Sequence, residues 1–195
     1  MKNKKYVVLF NFAVLLFSLY NRANAQIEIL HDELQIDQIA ILKNSGKTSK
    51  ATFTLSGTPA GLVAAFGKPL GITNEYVEID AVNHNHYKYN GAEFAFYKNL
   101  LVYFRITNTN FIIRTQTPAP VKEPDKFYFK IGDPVKRVQT IYPKSFKYNQ
   151  GGRLFFGLYK LTTDPKTGIT ARTRYDTSFL FFFKDGILTD INYED

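Results

Sequence analysis

Three histidines and a few of the acidic residues are the side chains best suited to metal binding or acid–base chemistry in this chain. Two of the histidines lie in the segment Asn83-His-Asn-His86, and alternate residues of a strand project to the same side. A zinc site there needs a third or fourth ligand, for which Glu78 and Asp80 are nearby donors. A polar hairpin turn with solvated imidazoles explains the same residues more simply. We therefore predict no metal site and no cofactor.

No arrangement of residues in the chain strongly indicates a catalytic site. Cys is absent, which excludes thiolate catalysis, and no serine lies in a Gly-x-Ser-x-Gly elbow. Glu78 and Asp80 share a strand face as a glycosidase pair would, but neighbouring exposed acids on a strand are ordinary. A solvated loop explains His31-Asp-Glu33, and a turn explains Gly151-Gly152. We predict no catalytic residue and a protein that is not an enzyme.

The N-terminal residues 1–25 have the organisation of a secretory signal peptide. Residues 1–5 are basic, the apolar run at residues 6–20 is short for a transmembrane helix, and Ala23-Asn-Ala25 offers small residues to a signal peptidase. Cleavage before Gln26 removes four positive charges and lowers the formal net charge from +8 to +4. An uncleaved N-terminal anchor is the alternative interpretation.

The predicted export limits where the protein acts and which partners it can meet. No Cys follows the apolar run to accept a lipid, so we expect a periplasmic or secreted protein with no stable membrane anchor after cleavage. Without disulfides, apolar burial alone must stabilise the mature domain, which is feasible at this length. Basic and acidic residues are interspersed, which does not indicate a nucleic-acid partner.

The first structured unit begins with a short strand and a well-marked helix. Residues 52–55 are typical of a strand, Thr58 can cap the helix, and Pro59 suits its first position. Apolar residues recur at helical spacing as far as Phe66, and Gly67 ends the segment.

A second unit repeats this order of elements at a constant offset. Residues 127–131 predict a strand, Asp133-Pro134 takes the place of the earlier cap and proline, Val138 continues the apolar stripe, and Pro143 is expected to stop the helix. The recurrence of cap, proline and stripe together indicates an internal duplication.

Antiparallel strands are predicted after each helix, because aromatic and β-branched residues alternate with period two. The two closing hairpins turn at Lys98-Asn99 and at Lys184-Asp-Gly186. The second unit has a further hairpin, with strands at 153–161 and 169–175 around a Pro-Gly turn. The first unit has a poorer counterpart, in which residues 83–86 would form the turn.

We predict an α+β fold of two tandem units, each a short helix packed on an antiparallel sheet of about four strands. The prolines at 118, 120 and 124 favour an extended linker between the units. The amphipathic stretch at 27–42 is compatible with either a strand or a helix. The predicted segments are the signal peptide 1–25, an N-terminal extension 26–50, the first repeat 51–114, the linker 115–125 and the second repeat 126–195.

Two short motifs, Phe66-Gly-Lys-Pro69 and Phe183-Lys-Asp-Gly186, carry a family resemblance. Together with the tandem helix-then-sheet order, they resemble the β-lactamase inhibitor protein architecture, whose single-unit relatives include small outer-membrane assembly lipoproteins. The resemblance spans roughly residues 52–193 and implies a fold rather than a particular partner. The acylated Cys of the lipoproteins and the disulfides of the inhibitors are both absent here.

The sheet face away from the helices should be open, and aromatic residues fall on it. Phe179, Phe181 and Phe183 are assigned to this face as well. The alternative is that residues 26–50, or the meeting of the two sheets, bury it. The candidate binding residues on this face are Tyr76, Tyr97, Tyr103, Arg105, Phe155 and Tyr159.

The leading functional hypothesis is an exported, non-enzymatic module that binds a protein partner in the envelope or outside the cell, in the manner of an inhibitor or immunity protein. An envelope assembly or structural factor is the second hypothesis. A glycan-binding protein, or a glycan hydrolase acting through Glu78 and Asp80, is the third.

Overall fold

A computed structural model describes residues 31–44, 51–78, 81–116 and 124–195. The predicted signal peptide at 1–25 lies outside these residues, as does most of the Pro-rich linker. No helix among the described residues is long and apolar enough to cross a membrane.

Strands dominate the described residues, and helices are few and short. The strands are β1 (Glu33–Gln35), β2 (Ala40–Lys43), β3 (Thr52–Thr54), β4 (Gly71–Val77), β5 (Val82–Tyr89), β6 (Ala92–Tyr97), β7 (Leu100–Ile106), β8 (Phe111–Arg114), β9 (Tyr128–Lys130), β10 (Arg153–Thr163), β11 (Thr170–Lys184) and β12 (Ile187–Glu194). The α-helices are α1 (Pro59–Phe66), α2 (Val135–Ile141) and α3 (Pro143–Lys147), and two 3-10 turns cover Ile36–Gln38 and Pro124–Phe127.

The two predicted units do not form separate sheets, so the prediction of two helix-on-sheet units is wrong. Their strands merge into one eight-stranded sheet with the order β1-β10-β11-β12-β7-β6-β5-β4, hereafter the large sheet. The merger occurs between the last strands of the two repeats, where Tyr193 lies opposite Phe104. Pairing β12 with β7 removes two open sheet edges, which separate units would have left exposed.

A second sheet of four strands, the small sheet, has the order β3-β2-β8-β9. The predicted first strands of the two repeats, β3 and β9, lie at its opposite edges. Between them lies β2, which comes from the N-terminal extension, together with β8. The described part of that extension is therefore mainly strand, and β1 pairs in parallel with β10 of the large sheet.

The core lies between the two sheets and is rich in aromatic rings. Phe53 of the small sheet contacts Phe94 of the large sheet with ring centroids 5.8 Å apart, and Phe129 contacts Phe181 at 5.3 Å. The helices contribute Leu62 and other buried residues to the same cluster. Layered sheets with interdigitated inner faces bury apolar area that two small units could not bury alone.

The first helix begins and ends as predicted. The Oγ1 of Thr58 accepts a hydrogen bond from the amide of Gly61 at 3.3 Å, Pro59 is the first helical residue, and the chain leaves at Gly67 with φ 81°. Val63 is 38% exposed, whereas Leu62 and Phe66 are buried.

The second helix departs from its predicted cap but ends before Pro143 as predicted. Asp133 does not cap α2 but accepts hydrogen bonds from the amide of Lys130 and from Arg137. α2 ends at Ile141, and Pro143 is the first residue of α3. Proline is well suited to a first helical position, so the same residue can end one helix and begin another.

Two strand assignments also change. The segment Asn83-His-Asn-His86 lies within β5 and is not a turn, because the pairing of β4 with β5 already begins at Val77 and Val82. Residues 170–184 form one continuous strand, on which Phe179 and Phe181 are fully buried and therefore face the core. Their assignment to the open face is wrong, because the small sheet covers their side of the large sheet, where Phe181 contacts Phe129.

Candidate functional site

The open face is the side of the large sheet opposite the buried phenylalanines, and its side chains follow from the strand register. One row runs across five strands through Lys88, Glu93, Arg105, Asn192 and Leu180, which are paired successively from β5 to β11. Alternate residues of paired strands share a face, so these side chains project to the same side. Ion pairs, rather than a continuous apolar layer, characterise this face.

The centre of the open face is formed by β7 and β12. The Nε and one Nη of Arg105 both donate to Oδ2 of Asp190, at 2.7 and 2.5 Å. The guanidinium side chain is 51% exposed, whereas the carboxylate side chain is 13% exposed. Tyr103 lies on the same strand two residues earlier, half-buried, and burial raises the pKa of its phenol. A recessed acid beneath an exposed arginine holds that arginine in one orientation.

One flank of the open face joins β4, β5 and β6 through charged side chains. His86 Nδ1 lies 2.7 Å from Oε1 of Glu93, and Lys88 Nζ donates to Oε1 of Glu75 at 3.1 Å. The hydroxyl of Thr73 donates to Glu75 at 2.6 Å, and this bond, followed by that from Lys88, lowers the pKa of the Glu75 carboxyl.

The same flank gathers three groups of the type that ligate metals. Ligand atoms of Glu75, His86 and Glu93 lie within 4.8 Å of one another. Lys88 already places a positive charge against Glu75, so a metal ion would compete with it. The candidate donors considered from the sequence are not in this group, since Glu78 follows the end of β4 and Asp80 lies outside the described residues.

The other flank joins β1 to the β10–β11 hairpin. Arg172 and Arg174 donate to the two carboxylate oxygens of Glu33, at 2.7 and 2.9 Å. The guanidinium of Arg172 also lies 3.9 Å from the ring centroid of Tyr159. The short strand β1 is thereby tied to the hairpin through one recessed carboxylate and one aromatic ring.

Five of the six predicted binding residues share the open face, and Tyr76 does not. Tyr97 contacts His84 with ring centroids 6.1 Å apart, and Phe155 contacts His31 at 5.8 Å. Tyr76 is 64% exposed and lies on the opposite side of the outermost strand β4.

Sequence reasoning missed the acids that hold the arginines. Glu33 pairs with residues 139 and 141 positions away, and Asp190 with one 85 positions away. No local spacing links such residues. The period-two pattern of β12 could have assigned Asp190 to a strand face, but not to a partner.

A shallow groove lies beside the end of α1, where the small sheet meets β5. Lys43 Nζ donates to the carbonyl oxygen of Phe66 at 3.3 Å, and the hydroxyl of Tyr89 donates to that of Gly67 at 3.0 Å. The Nδ2 of Asn110 donates to the carbonyl oxygen of Asn90 at 3.1 Å. These contacts cap a helix end and join adjacent turns.

Comparisons with known proteins leave the chain without a family. No family model and no curated protein matches it. A solved structure that resembles it is an extracellular protein containing a SCP domain from Bacillus anthracis str. Ames, at 13% identity and a TM-score of 0.34. The match covers 72% of this chain, which spans 44% of the solved chain. The resemblance to β-lactamase inhibitor protein stays a prediction.

Proposed function

We propose that this chain is an exported, non-enzymatic binding domain whose open face contacts a protein partner. The supporting observation is the centre of that face, where Arg105 is held by Asp190 beside the half-buried ring of Tyr103. Tyrosine and arginine are enriched among the residues that dominate the energetics of protein interfaces, and an aromatic ring buries a large area with few frozen torsions.

The charge distribution favours a protein over a nucleic acid as partner. Several basic side chains on this face are ion-paired, as in the pairs of Arg105 with Asp190 and of Lys88 with Glu75. A nucleic-acid surface would need unmatched basic residues to contact phosphates. Interspersed charges of both signs instead provide complementarity to a protein surface.

The export part of the proposal rests on the sequence of residues 1–25. Mass spectrometry of the chain secreted by a bacterial host tests it, and a mature protein beginning at Gln26 is the expected result. A chain retained with its first residues intact contradicts export by cleavage.

Affinity capture tests the binding surface. The secreted chain is immobilised and exposed to envelope and extracellular proteins of the producing organism, beside the variant Tyr103→Ala, Arg105→Ala. A stoichiometric protein should bind the parent chain, and the variant should bind it at least ~10-fold more weakly, as expected for the loss of two central contacts.

A matched control is the variant Val63→Ala, Leu70→Ala, which alters two exposed apolar residues away from the open face. It should bind like the parent chain. Equal binding by the central variant would contradict the proposed surface. Retention of envelope glycans in place of a protein would favour carbohydrate recognition.

A further inference from the structure

The strand β4 forms an unusually open edge of the large sheet. Among the described residues its only strand neighbour is β5. It is seven residues long, whereas β1, β3 and β9, which form the other sheet edges, have three residues each. Its five central residues are exposed, including Ile72 at 56% and Tyr76 at 64%.

Native edge strands are usually protected against further pairing. They are short, bulged, or carry lysine or proline. β4 has neither lysine nor proline, and its pairing with β5 is regular from Gly71 to Val77. A flat edge with exposed apolar side chains is a template for another strand.

The hydrogen bonding of β5 determines which backbone groups of β4 point outward. The amide of Leu70 donates to the carbonyl oxygen of Lys88 at 2.8 Å, so the backbone groups of Lys88 point toward β4. Lys88 lies opposite the first residue of β4, and hydrogen-bonded pairs alternate along an antiparallel ladder. Odd-numbered residues of β4 therefore bond to β5, and the N–H and C=O groups of Ile72, Asn74 and Tyr76 point to the free edge.

We propose that this edge binds a second copy of the same chain, with the two β4 strands antiparallel about a twofold axis at Asn74. This register uses all seven residues and hydrogen-bonds the outward groups of Ile72 to those of Tyr76 in the other copy. Ile72 then lies opposite Tyr76 of the other copy, and the symmetry makes this apolar pair twice.

Neighbouring registers are less favourable. A shift of two residues in one direction places Glu75 opposite Glu75 of the other copy, and like charges directly opposed destabilise a sheet. A shift in the other direction opposes Thr73 to itself. Both shifts separate Ile72 from Tyr76, so the side chains select the central register.

The proposed dimer joins two large sheets edge to edge and leaves the centre of the open face accessible. Arg105 lies on β7, which β5 and β6 separate from β4. Dimerisation and partner binding therefore use different residues, and either can fail without the other.

The first test is the molar mass of the secreted chain, measured by light scattering after size exclusion. The parent chain should be a dimer, and the variant Ile72→Lys, Tyr76→Lys a monomer, because both changes introduce facing positive charges at exposed positions. The control Leu161→Lys, Ile169→Lys should remain a dimer. A monomeric parent chain would overturn the proposal.

A charge-complementary variant separates loss of pairing from loss of folding. Ile72→Glu, Tyr76→Lys places opposite charges across the axis and should restore the dimer. Continued monomer with a native circular dichroism spectrum would overturn the assigned register.

Disulfide trapping tests the register directly, since the chain contains no Cys. In a non-hydrogen-bonded antiparallel pair the Cα atoms lie about 4.5 Å apart, within reach of a disulfide. In the proposed register Thr73 and Glu75 of the other copy form such a pair, so the double variant Thr73→Cys, Glu75→Cys should cross-link efficiently between copies on mild oxidation, and Thr73→Cys alone poorly. Equal cross-linking of the two variants would contradict pairing about Asn74.

Discussion

The two faces of the large sheet are formed by the same strands, but different interactions stabilise them. On the core face, Phe104 is fully buried and contacts Phe94 and Phe179. On the open face, Arg105 on the same strand is ion-paired and half exposed. Stability therefore resides mainly on one face, which leaves the other free to bind. The predictions below test this division.

Truncation of a core-face ring should have the largest effect. Phe104→Ala removes contacts with three neighbouring rings and should lower the free energy of unfolding by about 3 to 5 kcal/mol. Urea unfolding measures the loss. The adjacent open-face variant Tyr103→Ala should cost about 1 kcal/mol, and equal losses for the two would refute the division.

Alkaline titration should expose a buried tyrosine in the same core. Burial raises the pKa of Tyr142 from 10.0 to about 12. The fold favours the neutral phenol, so stability is constant below pH 10.0 and is lost as the pH rises towards 12. Two pKa units correspond to about 2 to 3 kcal/mol.

The variant Tyr142→Phe isolates that contribution. At neutral pH it should cost about 1 kcal/mol, because it removes the hydrogen bond to Thr115. Near pH 12 it should become more stable than the parent chain, since it has no phenol to ionise. Urea unfolding from pH 7 to 12 compares the two, and parallel profiles would contradict the prediction.

The ion pair of Arg105 with Asp190 on the open face should contribute less to the free energy of unfolding than the core residues do. Arg105→Gln should cost at most about 1 kcal/mol, because the arginine is largely solvated. The loss should shrink in high salt, which screens exposed charges. A double-mutant cycle with Asp190→Asn measures the coupling, and a salt-independent coupling would argue that the pair is buried.

The smallest effect is expected for an exposed apolar residue of the open face. Leu100 is 69% exposed at the start of β7. Leu100→Ser should change the free energy of unfolding by less than about 0.5 kcal/mol. Thermal unfolding measures it, and a larger loss would indicate that this end of the face is covered.

Local hydrogen-bonding signals were the most reliable guide to structure. The cap at Thr58 and the closing hairpins formed where expected, with Lys98 and Asp185 at positive φ in equivalent turns. The β10–β11 turn likewise follows from Asp164, which accepts bonds from the next turn amides, and from Gly168 at φ 69°.

Errors arose where the outcome depended on a distant strand. Phe181 alternates well with its neighbours in the sequence, but its contact with Phe129 of the small sheet decides which face it occupies. The turn assigned to residues 83–86 failed because histidine and asparagine tolerate a strand when flanked by paired neighbours.

The sequence by itself determined the helix α1 and the closing hairpins, because each depends on hydrogen bonds between residues close in the chain. Only the tertiary structure decided that the two repeats share one sheet and that Glu33 and Asp190 hold the arginines of the open face. Those contacts join residues far apart in the chain, and burial of a common core, rather than local preference, selects them.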